Sequence, residues 1–281
     1  MKTVLSIQSS VSLGGVGNTM ANMVLSAMGH HIARVDTVQL AAHPGYGFVA
    51  GGRLNQPDFD ALIDGLIRLQ VWDKIDAVMT GYMAHGDQTA KIGGLIKTMK
   101  SHRPDLPVLV DPAIGDHGRL YVDASIAQGM ADHLFDQADL ITPNRFELGY
   151  FTGQDITDQH DAEAAAHILL ARHHHMTGIA VTGVQDSRPP STGIADGWIR
   201  HDGADFYDGQ ALIHQPKGLS GGGDLFSALV MGYRLNGQDW QAAVAKASAK
   251  AQQILHASDA PTAGDMAQGQ ILPQAIDDQL R

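Results

Sequence analysis

Strand-like and helix-like segments alternate along almost the whole chain, and this alternation is the strongest constraint on how the chain can fold. Short apolar strands are predicted at 3–8 (TVLSIQ), 76–81 (DAVMTG) and 107–112 (PVLVDP), with helical spacing in the segments between them. Strands that alternate with helices form right-handed βαβ units, which build a mostly parallel sheet with helices on both faces. Further strands are predicted at 32–39, 138–142 and 178–183, and helices at 19–28, 58–70, 86–100, 123–134, 144–151, 160–173, 224–235 and 239–256.

The alternation breaks at residues 193–214, where D-G turns predict two or three antiparallel strands at one edge of the sheet. No internal repeat divides the chain. The segment SRPPST (187–192) is interpreted as a mobile surface loop rather than a domain boundary. We therefore expect an α/β three-layer sandwich that forms a single domain over residues 1–281.

The charge balance and the absence of cysteine exclude several classes of function. Asp and Glu number 30 against 19 Lys and Arg, a formal net charge of −11, which disfavours nucleic-acid and anionic-membrane partners. A chain with no cysteine has no disulfide, thiolate nucleophile or zinc–thiolate site. The N-terminal segment is predicted as a first strand rather than a signal peptide, and no stretch approaches the roughly 18 apolar residues of a membrane span. We therefore expect a cytoplasmic protein.

Polar residues recur where the predicted strands end, which is the edge at which parallel sheets bind ligands. Ordinary structural roles remain open for them: Asn144 suits a helix N-cap, Glu147 a surface helix position, and Asp111 a turn before proline. Three adjacent histidines at 173–175 point in different directions on a helix, so they indicate a solvated helix end rather than a metal site. The candidates at the predicted edge are Ser9, His43, Tyr82, Asp111, Thr142, Asn144, Glu147 and Thr182.

The stretch GLSGGGDLFSAL (218–229) allows two kinds of chemistry. Gly218, Ser220 and Gly222 match the G-x-S-x-G nucleophile elbow of serine hydrolases, which also needs a downstream acid and then a histidine. Only His256 follows Ser220, and it falls inside a predicted helix. The elbow is therefore the less favoured interpretation.

The other interpretation of this stretch is an anion cradle. Backbone N–H groups of Gly221, Gly222 and Gly223 would face an anion at the positive end of the following helix. Asp224 suits a general base that takes a proton from an alcohol attacking phosphorus, while the N–H groups stabilise the transferred phosphoryl group. A flexible loop with Asp224 as N-cap remains the structural alternative.

Six segments, in the same order along the chain, resemble the pyridoxal kinase branch of the ribokinase-like small-molecule kinases. SGGGDLF (220–226) resembles the family's G-T-G-D anion hole, and VDPAIGDHGRLYV (110–122) resembles its D-P-V-x-G-D followed by Y-V. The hydroxymethylpyrimidine kinases fit less well, because their N-terminal D-P-S-G-G-A-G is missing here. The other four segments are IQSSVSLGGVGN (7–18), DTVQLAAHPGYG (36–47), TGYM (80–83) and ADLITPNRFEL (138–148).

The resemblance implies a ribokinase-like fold and a kinase that uses ATP and Mg²⁺ to phosphorylate the 5′-hydroxyl of pyridoxal. Pyridoxine and pyridoxamine are further candidate substrates, K⁺ or Na⁺ a further candidate ion, and a homodimer the implied assembly. Asp224 would be the base, and Gly221, Gly222 and Gly223 the anion hole.

The resemblance also assigns binding roles. Ser9 and His43 would hydrogen-bond the pyridine ring, while Val16 and Tyr82 would pack against its faces. Glu147 would act on magnesium through water. The nucleotide side would comprise Asp111, Thr142, Asn144, Glu147 and Thr182, and the metal side Asp111, Glu147 and Tyr121.

Two positions depart from the family pattern. Gly222 replaces the threonine of G-T-G-D, and Pro44 replaces a polar residue after His43, which removes a donor near the ring. Both departures bear on substrate preference and turnover. Two alternatives stay open: a kinase of another small alcohol, and a non-catalytic sensor that binds a vitamin or a nucleotide without needing Asp224.

Overall fold

Parallel strands form the centre of the fold. The computed structural model describes residues 1–185, 193–210, 219–259 and 270–280, and within these ranges nine strands form one sheet while two form a separate hairpin. The strands are β1 (Thr3–Leu13), β2 (His31–Ala42), β3 (Gly51–Arg53), β4 (Ala77–Thr80), β5 (Val108–Val110), β6 (Gly115–Asp116), β7 (Arg119–Leu120), β8 (Leu140–Ile141), β9 (Gly178–Gln185), β10 (Ile194–Arg200) and β11 (Gly203–Asp208).

The sheet has the order β11-β10-β9-β8-β5-β4-β1-β2-β3, and β6 pairs with β7 outside it. Its centre is parallel from β2 to β9. The predicted antiparallel edge is confirmed, since β10 pairs antiparallel with both β9 and β11. The other edge is antiparallel as well, because β3 pairs with β2; this strand escaped prediction since GGR has no apolar alternation.

Helices cover both faces of the sheet, so the predicted three-layer α/β sandwich is confirmed. The core on one face includes residues from α2 to α6, and the core on the other face includes residues from α1 and α7 to α9. The last helix, α9, was not predicted. The helices are α1 (Gly17–Ala27), α2 (Gln56–Arg68), α3 (Gly86–His102), α4 (Ala124–His133), α5 (Arg145–Thr152), α6 (Gln159–Arg172), α7 (Gly222–Leu235), α8 (Trp240–Ser258) and α9 (Pro273–Leu280).

Successive side chains along the central strands point alternately into the two hydrophobic cores, so the sheet packs against both helical layers. In β5, Val108 and Val110 enter one core and Leu109 enters the other. Burying each such side chain stabilises the fold by about 1.5–3 kcal/mol. Because β1, β4, β5, β8 and β9 run parallel, their carboxyl ends meet at one edge, where the predicted site residues lie.

Some predicted features fall outside the described ranges. They are the loop at 187–192, the end of the predicted hairpin region at 211–214, and Gly218. Among the helices that are described, none combines the length and the apolar character needed to cross a membrane.

Candidate active site

The N-terminus of α7 lies at the centre of the site. Its N-cap is Gly221, whose φ of +90° is a left-handed conformation that favours glycine. A Cβ at this position would also collide with the backbone oxygen of Gly15. The first intrahelical bond runs from Leu225 N–H to Gly221 O at 2.8 Å, so the N–H groups that precede it have no acceptor within the helix.

Asp224 is the third residue of α7 rather than its N-cap. Its carboxylate is partly buried and accepts a hydrogen bond from the backbone N–H of Gly17, at the start of α1. Burial raises the pKa of Asp224 to about 6, against the lowering effect of the Gly17 hydrogen bond. A carboxylate with this pKa is ionised near neutral pH, yet is more basic than an exposed aspartate, as a general base requires.

The other two glycines differ from Gly221, because each has room for a side chain. Nothing lies within 4 Å of the Cβ position of Gly222, and the nearest atom to that of Gly223 is Asp111 Oδ2 at 3.8 Å. The N–H of Gly222 already donates to Leu219 O at 3.3 Å. The N–H groups of Gly223 and Asp224 are therefore better placed than that of Gly222 to meet an anion.

A buried hydrogen-bond chain joins α7 to two strand ends. Ser227 Oγ donates to Asp111 Oδ2 at 2.8 Å and lies 2.9 Å from Thr142 Oγ1. Asp111 directly follows β5 and Thr142 directly follows β8. Ser227 was not among the predicted site residues, although its position one helical turn after Asp224, in an otherwise apolar helix, was a usable signal.

Glu147 and Asn144 form a capping box at the start of α5. Asn144 Oδ1 accepts from the N–H of Glu147 at 3.0 Å, and Glu147 Oε2 accepts from the N–H of Asn144 at 2.9 Å. Glu147 Oε1 accepts from the N–H of Ile114 at 2.8 Å and that of Gly115 at 3.3 Å. Glu147 is thus a buried clamp on the loop after β5 and not a surface residue, and Asn144 does serve as an N-cap.

The carboxylates on this side of the site repel one another. Burial, and then the negative charges of Glu147 and Asp224, raise the pKa of Asp111 well above its ordinary value. Burial likewise raises the pKa of Glu147 to about 7, against the lowering effect of its three backbone N–H donors. A divalent cation would offset this repulsion.

The donor set fits a magnesium ion held largely by water and phosphate. In the described part of the chain, no group of three or more His, Asp or Glu side chains is arranged to hold a metal by itself. Mg²⁺ commonly binds through one or two carboxylates and substrate phosphates while it keeps several waters. Asp111 and Glu147 would hold such an ion, Glu147 chiefly through water because backbone N–H groups already occupy both of its oxygens.

Thr182 and Tyr121 lie at the margins of this group. Thr182 forms a parallel bridge with Asn144, and its N–H donates to Pro143 O at 3.0 Å. Tyr121 is 52% exposed, and its ring stacks on that of Tyr82 with the centroids 6.4 Å apart. Tyr121 therefore connects the acidic side of the site to the predicted ring pocket.

The predicted ring pocket lies at the ends of β1, β2 and β4. Ser9 sits at an irregularity in the pairing of β1 with β2 and contacts Gly17, the residue that binds Asp224. Val16 is buried and is the N-cap of α1. Ser9 and Tyr82 are partly exposed, so this side of the site is more open than the acidic side.

His43 is held on the segment after β2. Its Nδ1 accepts from the N–H of Gly45 at 3.1 Å and lies 3.4 Å from Ser220 Oγ. Burial lowers the pKa of His43, so the ring is neutral at neutral pH, with its proton on Nε2. Pro44 begins a short 3₁₀ turn, where a missing N–H costs no hydrogen bond.

These contacts do not build a serine hydrolase site. Ser220 does bring its hydroxyl near a histidine, but 3.4 Å is long for a hydrogen bond and His43 Nδ1 is already an acceptor for Gly45. No carboxylate is among the described hydrogen-bond partners of His43. Gly218, which the elbow motif needs, lies outside the described residues.

Two of the three adjacent histidines have ordinary structural contacts. His173 Nδ1 lies 2.7 Å from Asp136 Oδ1, and His175 Nε2 lies 3.2 Å from Phe135 O. His173 caps the C-terminus of α6. This agrees with the interpretation of the segment as a helix end.

Comparison with known proteins locates this fold and site in one class. A family model described as phosphomethylpyrimidine kinase matches residues 60–270. "Pyridoxal kinase PdxY" of Granulibacter bethesdensis is 32% identical over 255 residues, which cover 90% of this chain and 88% of that protein. "Pyridoxine/pyridoxal/pyridoxamine kinase" of Bordetella pertussis is 33% identical over 236 residues, covering 84% and 82%.

Solved structures agree in fold. The pyridoxal kinase from Leishmania donovani in complex with ADP and pyridoxamine superposes with a TM-score of 0.87 at 25% identity, covering 100% of this chain and 96% of that chain. The pyridoxal kinase from Entamoeba histolytica gives a TM-score of 0.86 at 25% identity, with the same coverage. These similarities define a kinase of the ribokinase-like class. Within that class, the chain belongs to the pyridoxal kinase family.

Proposed function

We propose that this chain transfers the γ-phosphoryl group of ATP to the 5′-hydroxyl of pyridoxal, and also to that of pyridoxine and pyridoxamine. Relatives named for these three vitamers support the substrate class, and a family structure contains ADP with pyridoxamine. The observation that carries the mechanism is the position of Asp224, a basic carboxylate at the N-terminus of α7. The product would be pyridoxal 5′-phosphate.

In this mechanism Asp224 takes the proton of the 5′-hydroxyl as its oxygen attacks phosphorus. General-base catalysis of this kind typically contributes about 10²–10⁴-fold. The N–H groups at the start of α7 stabilise the charge on the transferred group. The helix thus presents a base and an anion hole within one turn, which is the arrangement that in-line transfer to an alcohol needs.

The nucleotide and its cation would occupy the acidic side of the site. Magnesium supplies charge neutralisation for the phosphates. Asp111 and Glu147 would hold the magnesium ion, with Tyr121 beside them. A monovalent cation, K⁺ or Na⁺, would bind nearby. The residues proposed to contact ATP are Asp111, Thr142, Asn144, Glu147 and Thr182.

The vitamin would occupy the open side. His43, with its proton on Nε2, would donate to the polar edge of the ring, and Ser9 would bond the same edge. Tyr82 would stack on one face of the ring, as flat heteroaromatic rings favour, and Val16 would pack against it. Because Pro44 offers no donor, we expect weaker discrimination among the three vitamers than a polar residue would give.

The assembly we propose is a homodimer of single-domain chains. One sheet extends from Thr3 to Asp208 and carries both helical layers, which supports one domain over residues 1–281. Leu13, Phe48 and Val49 are 46%, 58% and 65% exposed, so these apolar side chains are accessible to a second chain. Sedimentation velocity would test this, and Phe48→Asp should shift the chain toward monomer.

Since the reaction consumes ATP, we propose a cytoplasmic location.

ATP turnover with a panel of alcohols is the decisive test. We expect ADP formation with pyridoxal, pyridoxine and pyridoxamine, and little with sugars or nucleosides. Turnover with another small alcohol alone would point to a different ribokinase-like kinase. Tight binding of vitamin and nucleotide with no turnover would instead indicate a sensor and would remove the role of Asp224.

A further inference from the structure

Ser227 occupies an unusual place in the core of the site. It is 1% exposed and is surrounded along α7 by apolar residues such as Phe226 and Ala228. Its hydroxyl meets two other buried polar groups, Asp111 and Thr142, which are 6% and 4% exposed. These partners lie 116 and 85 residues away in sequence, so one side chain joins three elements at the carboxyl edge.

The direction of this chain of hydrogen bonds follows from its donors. Ser227 has one hydroxyl proton, and it is donated to Asp111 Oδ2. Ser227 Oγ must then accept from Thr142 Oγ1. Removing the Ser227 hydroxyl would leave a carboxylate oxygen and a threonine hydroxyl without this partner in a buried site.

We propose that Ser227 is a positioning residue of the phosphoryl-transfer site, which holds the Asp111 carboxylate and the Thr142 hydroxyl in the arrangement that receives the magnesium–nucleotide complex. This inference rests on the proposed function for its kinetic test only. Ser227 lies one turn after Asp224 on α7, so the helix that carries the base also orients the cation-facing carboxylate. Movement of one would therefore move the other.

A matched control exists on the neighbouring helix. Ser248 of α8 is 2% exposed, and its hydroxyl donates to Asp196 Oδ2 at 2.7 Å. Ser227→Ala and Ser248→Ala each remove one buried serine–aspartate hydrogen bond from a helix. Ser227→Ala also removes the contact with Thr142, so its loss of stability should be the larger of the two. A purely structural role for Ser227 predicts that the two variants behave alike in every other respect.

The measurement compares ADP binding with and without Mg²⁺ by calorimetry, alongside the Mg²⁺ dependence of kcat. For Ser227→Ala we expect the Mg²⁺-dependent gain in ADP affinity to fall about tenfold and the half-saturating Mg²⁺ concentration to rise by a similar factor. The KM for pyridoxal should stay unchanged. Ser227→Thr keeps the hydroxyl and should restore most of the Mg²⁺ response.

Each outcome decides the matter. If Ser227→Ala does not fold, Ser227→Cys keeps the volume with a weaker donor and should show a smaller shift of the same sign. The proposal would be overturned if Ser227→Ala showed the same Mg²⁺ response as Ser248→Ala. It would also be overturned if the ADP affinity of the wild type did not depend on Mg²⁺. A wild-type chain that binds MgADP but phosphorylates no vitamer would contradict the proposed function while the binding experiment still tests Ser227.

Discussion

Around Asp111 and Glu147 the functional groups are buried and joined by hydrogen bonds, whereas around Ser9 and His43 they lie on segments that are partly open to solvent. Asp111 and Glu147 are 6% and 2% exposed, and their hydrogen bonds reach α7 and the loop after β5. His43 and Tyr82 follow the ends of β2 and β4, whereas Ser9 lies inside β1, which continues to Leu13 instead of ending at residue 8 as predicted. The acidic half is therefore the more buried of the two, and the ring half is the more open to solvent.

The difference suggests a division of labour between reaction and specificity. The family match described as phosphomethylpyrimidine kinase spans residues 60–270, which include the acidic half, α7 and Tyr82 of the ring half, but not Ser9 or His43. Buried polar groups tolerate few changes because each must keep its partners. Loop positions change more readily and carry substrate choice. The substitutions below probe this contrast, in decreasing order of expected effect.

Asp224→Asn should give the largest loss. Asparagine keeps the size of the side chain but cannot take a proton, so kcat should fall about 10²–10⁴-fold. The KM values for pyridoxal and ATP should change little, because neither binding region loses a side chain. Steady-state kinetics on the purified variant would check this, and a near-normal kcat would rule out Asp224 as the base.

The pH profile gives an independent check on the same residue. Since the folded pKa of Asp224 is raised to about 6, protonation should inactivate the base as the pH falls through that value. We expect kcat/KM of the wild type to rise from pH 5 to 7 and then level off. The small residual rate of Asp224→Asn should lack this limb, and an identical limb in both proteins would assign it to another group.

Glu147→Gln should destabilise the acidic half of the site. Glutamine would turn an NH₂ group toward N–H donors at Ile114 or Asn144, so the free energy of unfolding should fall by about 1–3 kcal/mol. Urea unfolding would measure the change. Glu163→Gln, on a 38% exposed side chain of α6, is the matched control and should cost less than about 0.5 kcal/mol. Equal losses in the two variants would contradict the clamp.

Ser9→Ala and His43→Ala should damage only the ring half. Each removes a hydrogen bond worth about 0.5–1.5 kcal/mol, or more if a partner stays unpaired, so KM for pyridoxal should rise roughly tenfold. The KM for ATP should stay near its wild-type value. Kinetics on pyridoxal, pyridoxine and pyridoxamine would test this, and a change confined to ATP would assign both residues to the wrong half.

Gly222→Thr should have the smallest effect. The Cβ position of Gly222 is open and its φ is not in the left-handed range, so the family threonine should fit and kcat should stay the same or rise. Gly222→Asp is the contrasting substitution at the same position: its carboxylate should repel the transferred phosphoryl group and abolish turnover. Gly221→Ala provides a structural contrast, because its Cβ would collide with Gly15. A folded but inactive Gly222→Thr would mean that this loop is not the family's anion hole.

The sequence by itself determined the fold class and the edge at which the site lies. Alternating periods of two and 3.6 are local properties, so strands such as 107–112 and helices such as 224–235 could be predicted from their own residues. Strand-end polar residues marked the ligand edge, because parallel strands end together. The short strand β3, the β6–β7 hairpin and α9 lack such a pattern and were missed.

Only the tertiary structure decided which groups meet. Ser227 finds Asp111 and Thr142 because the sheet order places β5 and β8 side by side under α7, and no local pattern encodes that order. A surface helix position was one interpretation of Glu147 from the sequence, and long-range packing instead buries it against the loop after β5. Gly221 must be glycine because the backbone of Gly15, from a distant turn, occupies the space of a Cβ. The adjacent Gly222 is the same residue type, yet its Cβ position is open, so it need not be glycine. Partners of buried polar groups depend on long-range packing, and a sequence read residue by residue does not contain it.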